Sequence, residues 1–165
     1  MSLTVVDDPA DRPAWLRETI RLLADRSDRE RSMLLELVAG ADDGAIAAGT
    51  DDDWGLGQVA VHLLLVERGV AGIALRLAEG TAVGATGQPR PGAGAATRPG
   101  IAALAQKAAA ATARLRSGFP TEPDVVTTAR HPFYGDLNCF GWLLTLPNHY
   151  GAHIEAHRAG RKSAL

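Results

Sequence analysis

The sequence predicts an all-α domain of four long helices, and three observations predict it. Apolar residues recur at three- and four-residue steps over most of the chain. No stretch alternates apolar and polar residues in the manner of a half-buried strand, and no internal repeat is visible. Gly- and Pro-rich segments fall mainly between the periodic runs, where they separate one helix from the next. With 165 residues, 46% of them hydrophobic and 22% charged, the chain fits one domain over 1–165 that buries its own core.

The first helix is expected from about Arg12 to Val38, with Pro13 suited to a first turn. Trp15, Leu16, Thr19, Ile20, Leu23, Leu34, Leu37 and Val38 keep helical spacing, but residues 25–31 interrupt it with polar side chains. The segment is therefore one long helix with a polar middle, or two helices with a break. Gly40 supplies a C-terminal stop.

Asp51, Asp52 and Asp53 precede the second helix, about Trp54 to Ala78, and an aspartate there is suited to cap orphan N–H groups. Val59, His62, Leu63, Val66, Val70, Ile73 and Leu77 share one face of it. Gly80 to Gly100 has no periodicity and reads as a long, mobile connection that crosses the bundle or covers a site. Thr97-Arg98-Pro99 opens a third helix, about Pro99 to Arg116, whose many alanines allow close packing; Gly118 and Pro120 end it. Phe119 to Asp136 carries three prolines and is expected to be extended and irregular. The fourth helix is expected from about Leu137 to Ala159, kinked near Leu143–Pro147 or broken and restarted at Pro147.

Charge and composition exclude several classes. Lys+Arg (17) nearly balances Asp+Glu (19) and no basic stripe is interleaved with aromatics, so no nucleic-acid partner is expected. A single cysteine, Cys139, excludes an internal disulfide and fits a reducing compartment. The acidic start MSLTVVDDPADRP lacks the features of a signal peptide, and no apolar run approaches the roughly 20 residues of a membrane span. A cytoplasmic protein with no membrane partner is expected. Arginine (15) far outnumbers lysine (2), which with the abundant Ala and Gly suggests a high-GC bacterial genome.

The chemistry is carried by histidines, at 62, 131, 149, 153 and 157. The last three stand four apart, and residues four apart on a helix stack on one face about 6 Å apart along the axis. Two imidazoles so placed can reach one ion at about 2.0–2.1 Å. A third ligand must come from elsewhere, and His62 lies on the buried face of the second helix. An inward histidine alone is ordinarily a satisfied core residue. A helical row of three together with one inward histidine is less easily so explained. Spacing does not choose between the pairs His149/His153 and His153/His157.

Two segments carry a resemblance. One is Trp54-Gly-Leu-Gly-Gln-Val-Ala-Val-His62-Leu63; the other is His131-Pro-Phe-Tyr-Gly135-Asp-Leu-Asn-Cys-Phe-Gly-Trp142, running into His149-Tyr150-x-x-His153. In order and spacing they resemble the DinB-like family of metal-dependent enzymes. The resemblance implies an up-down-down-up four-helix bundle with His62, His149 and His153 as ligands of one divalent metal. Two departures stand out: Ala156 where the family often has glutamine, and Pro147 close to a ligand.

The resemblance also implies function. The superfamily includes thiol S-transferases that use low-molecular-weight thiols and a thiol-dependent isomerase, so mycothiol is the natural co-substrate in a high-GC bacterium. Hydrolysis and a non-catalytic small-ligand or stress-response bundle are the alternatives. Zinc or nickel suits three imidazoles better than iron or manganese. A small-molecule substrate and a homodimer are expected.

The other residues read more plainly. Trp54 is expected to be a packing anchor, His131 to brace the irregular segment, and Cys139 to be a small buried hydrophobe about 15 Å from His149 along a straight helix. Tyr150 and Glu155 point away from the ligand pair by helical phase, and no catalytic acid or base is assigned.

Overall fold

A computed structural model describes residues 12–160. The acidic stretch before them, read above as lacking a signal sequence, and the last five residues lie outside the described part. In chain order the elements are α1 (Arg12–Gly40), α2 (Asp43–Ala47), α3 (Leu56–Ala78), α4 (Arg98–Gly118), β1 (Ala129–His131), β2 (Gly135–Leu137) and α5 (Cys139–Arg158). Four long helices form the bundle, and α2 and the β-hairpin are minor additions.

Side-chain contacts establish the directions. Arg98 at the start of α4 reaches the carbonyls of Val38 and Ala41 at the end of α1, while Arg116 near the end of α4 meets Asp25 and Asp28 in α1. These two helices therefore run antiparallel. Gly57 lies beside Ala96 just before α4, and Gly118 lies beside Leu75 near the end of α3. Helices α3 and α4 therefore run parallel, which requires the long crossover between them. The N-terminus of α5 approaches the C-terminus of α3 through residue 124: Asp124 donates its N–H to the Ala78 carbonyl, and Cys139 Sγ lies 3.4 Å from the Asp124 carbonyl. The order is up-down-down-up.

Helix α1 is continuous, which settles the choice left open by its polar middle. That middle faces partners: Arg31 pairs with Asp28 and with Glu67 of α3, and Asp25 and Asp28 pair with Arg116 of α4. Polar residues in the apolar phase of the helix thus mark an ionic seam between helices. Helix α2, absent from the sequence reading, is capped by Asp42, whose side chain accepts from Ala45 N–H at 2.7 Å.

Several expectations about the elements around the long helices are corrected. The aspartates before α3 do not cap it. Its N-cap is Gly55, whose N–H is accepted by Gln58 Oε1 at 3.2 Å, and Asp51 instead accepts from Ala93 N–H at 2.9 Å. Residues 129–137 form a two-stranded hairpin in place of irregular chain, with Gly135 at φ 79 closing the turn. Leu137 belongs to that hairpin, so α5 begins at Cys139 after an Asn138 cap. Helix α5 also continues through Pro147 without a break. Proline gives the Leu143 carbonyl no N–H, a loss the flanking helical bonds and packing tolerate.

Helix α3 is the core of the bundle, with Leu63, Leu64, Ala74 and Leu77 inaccessible or nearly so. By length and composition it is apolar enough to cross a membrane, contrary to the expectation that no segment qualifies. More than half of that apolar stretch is buried inside the protein, as the core helix of a bundle requires.

Candidate metal centre

Near its N-terminal end, α3 turns His62 into the bundle, where it is fully buried. Across the interface, α5 presents His149 and His153 one turn apart. One donor nitrogen from each of the three lies within 4.8 Å of the others, and their ring centroids are 4.8–5.0 Å apart. His157, one turn further along α5, stays outside this cluster, as does His131. Trp54 covers the group: its ring is 4.9 Å from His62 and 6.4 Å from His153, the latter nearly parallel to it. The packing role expected for Trp54 is thus directed onto the histidines themselves.

Hydrogen bonds define which nitrogens are available. His62 Nδ1 lies 2.6 Å from the Pro89 carbonyl, which only accepts, so Nδ1 carries the proton and Nε2 keeps its lone pair. That Nε2 is 2.8 Å from His149 Nε2, which must then donate to it. A buried imidazole held by a backbone carbonyl is the arrangement that orients a metal-ligating histidine. Two nitrogens on one tetrahedral ion at about 2.0–2.1 Å stand about 3.3 Å apart. The His62 and His149 rings therefore need to part by only about half an ångström, with His149 moving its proton to Nδ1. The residues fit a divalent ion.

Electrostatics favour the neutral, ligating form. Burial lowers all three imidazoles below their ordinary range, His149 to about 3 and His153 to about 4. The neighbouring histidines push His149 and His153 in the same direction, because two imidazolium charges repel at this distance. For His62, the Pro89 carbonyl opposes the burial effect and the Arg90 charge adds to it. Among the described residues, no carboxylate or thiol joins the cluster. Three neutral donors leave at least one coordination position for another molecule.

The long connection between α3 and α4 is tied down over this site. Besides the Pro89 carbonyl on His62, the Pro91 carbonyl accepts from Gln58 Nε2 at 3.1 Å, and Asp51 holds Ala93. Gln58 also donates to the Thr50 carbonyl at 3.0 Å, so one buried side chain joins the start of α3 to both flanking loops.

Sequence reasoning missed the support beneath the site. Tyr150, next to His149 and pointing to the opposite side, donates to Glu67 Oε2 at 2.7 Å; Thr112 donates to Glu67 Oε1 at 2.8 Å, and Arg31 pairs with the same carboxylate. Glu67 is fully buried, and burial pushes its carboxyl up against the pull of these partners. The network joins all four long helices at one residue. Its signal was present, since Glu67 falls four residues after Leu63 and three before Val70, inside the apolar stripe of α3.

A helical bundle with a buried three-imidazole cluster is the class that fold and site define together. The model of the DinB superfamily matches residues 26–156, and the chain belongs to that superfamily. It is also similar to a solved structure described as TT2238, a four-helix bundle protein, at 26% identity and a TM-score of 0.63, covering 85% of this chain and 98% of that one. No protein of curated function matches it.

Proposed function

We propose that this protein is a metal-dependent enzyme in which His62, His149 and His153 hold one divalent ion, zinc or nickel, and that it transfers or isomerises substrates with a low-molecular-weight thiol of the mycothiol type. The observation that carries the reading is the set of three convergent, neutral imidazoles with no fourth protein donor among the described residues. A bound ion would supply Lewis acidity at the open position, enough to acidify a thiol or a water. The chain's own part is positional. The Pro89 carbonyl, in the 79–97 connection, fixes the His62 tautomer, and the Trp54 ring packs against the imidazoles. The setting proposed is the cytoplasm, and the assembly a homodimer.

A thiol-consumption assay against a panel of electrophiles, with and without added zinc or nickel, tests this. Metal-dependent loss of thiol supports the transferase reading. Turnover of esters without thiol consumption supports hydrolysis instead. No metal-dependent turnover of any substrate overturns the enzymatic reading and leaves a ligand-binding bundle.

A further inference from the structure

A cavity of about 110 Å³ opens beside the histidine cluster, with His149 on its wall. Val66, Val70, Ile73 and Trp142 make it largely apolar, and none of its lining residues is Lys, Arg, Asp or Glu. Most of its polar groups are already committed. The Trp142 indole N–H donates to the Ala129 carbonyl at 3.2 Å, Thr145 Oγ1 donates to the Trp142 carbonyl at 2.7 Å, and the Thr86 hydroxyl donates to the Arg130 carbonyl.

His131 is different. The hairpin turn aims the Phe133 N–H at His131 Nδ1, 3.2 Å away, so Nδ1 accepts and the ring proton sits on Nε2. The ring is packed against Trp142 with centroids 4.7 Å apart and is nearly buried, which holds its orientation. The Phe133 N–H is the hydrogen-bond partner found for this ring among the described residues, and the ring lines the cavity, so its Nε2–H is open to a molecule seated there. On the wall of an open cavity this N–H is met by water or by the acceptor of a ligand that displaces it.

We propose that His131 is a substrate-binding residue, donating from Nε2 to the carbonyl-type oxygen of a small, uncharged, largely apolar molecule seated in this cavity. The proposal rests on the enzymatic reading above, because it names the substrate class for the same site. In the metal-free protein the absence of any charged residue on the wall disfavours a carboxylate in this subsite, since no protein counter-ion offsets its desolvation. The size limits the occupant to roughly a five- or six-membered ring, given that cavities of about 150 Å³ hold benzene.

The test uses a matched pair, cyclopentanone and methylenecyclopentane, which have the same shape and differ in the acceptor oxygen. Binding is followed by NMR on the full chain, metal-free and zinc-loaded, through the Trp142 indole N–H and the His131 ring nitrogens. Cyclopentanone is expected to bind about five- to tenfold tighter than the alkene and to shift the His131 Nε2 signal. His131→Phe, which keeps an aromatic ring against Trp142, is expected to bring the ratio close to one without lowering bound zinc. In the metal-free arm cyclopentanecarboxylate is expected to bind at least tenfold more weakly than the ketone. Equal affinity for ketone and alkene in the unsubstituted protein, or an unmoved Trp142 signal at saturating ketone, overturns the proposal. The metal-free arm separates the two claims: a chain that binds no metal would still show ketone selectivity, and a metal-binding chain without selectivity would fail only here.

Discussion

Acidification of the metal-free protein should destabilise it through the depressed imidazoles of the histidine cluster. Folded His149 and His153 titrate at about 3 and about 4, whereas an imidazole in the unfolded chain titrates near 6.5. A group whose folded pKa is depressed contributes fully above its unfolded pKa. It loses that contribution as pH falls through the window down to the folded value. Here the window runs from about 6.5 to between 3 and 4. At pH 5 the unfolded imidazoles are almost fully protonated and the folded ones almost fully neutral, so each contributes about 2 kcal/mol of lost stability. Together they give about 4 kcal/mol between pH 7 and pH 5, and His62, depressed in the same direction, adds to it. This figure requires only that neither His149 nor His153 is charged in the fold at pH 5. Glu67, raised by burial, acts with the opposite sign, and Asp28 and Asp124, both lowered, act at more acidic pH. The assay is urea unfolding followed by circular dichroism at pH 7 and pH 5 with chelator present. The variant His62→Gln/His149→Gln/His153→Gln serves as reference, because it keeps every other titrating group. The reasoning is refuted if the two proteins lose the same stability to within about 1 kcal/mol.

The buried network under the site makes a second prediction. Glu67→Ala leaves Arg31 without its interhelical partner and should cost about 3–5 kcal/mol. Tyr150→Phe removes one donor from the Glu67 carboxylate and should cost about 1–3 kcal/mol, both read from urea midpoints. Helix entry makes a third. A Cβ at Gly57 would press into the backbone carbonyl of Ile46 and the Ala96 methyl, so Gly57→Ala should lower Tm by several degrees, whereas Gly72→Ala, with open space around it, should not.

Much of the fold was legible because it is written in periodicity. The stripe Val59–His62–Leu63–Val66–Val70 needs nothing outside α3 to be read, and Thr97 and Gly118 punctuate α4 where expected. The hairpin was not legible: strands of three residues each are too short to show alternation, and the prolines around them suggest irregular chain. The polar middle of α1 was ambiguous for a physical reason. Its meaning lies in Glu67 and Arg116, 36 and 88 residues away from their partners Arg31 and Asp28. At the site, spacing placed His149 and His153 on one face but could not prefer them to His153 and His157. The resemblance made that choice, and the structure groups the first pair with His62. The Pro89 carbonyl, a main-chain atom in an aperiodic segment, leaves no trace in side-chain identity.

The central claim is that His62, His149 and His153 hold a metal ion, and bound metal tests it most directly. The protein would be purified without a histidine tag and analysed for metal content before and after reconstitution with zinc or nickel, beside His62→Ala and His153→Ala. The account predicts about one ion per chain, lost in both variants while each remains helical. A chain that takes up no metal after reconstitution, or variants that keep it, would contradict the account.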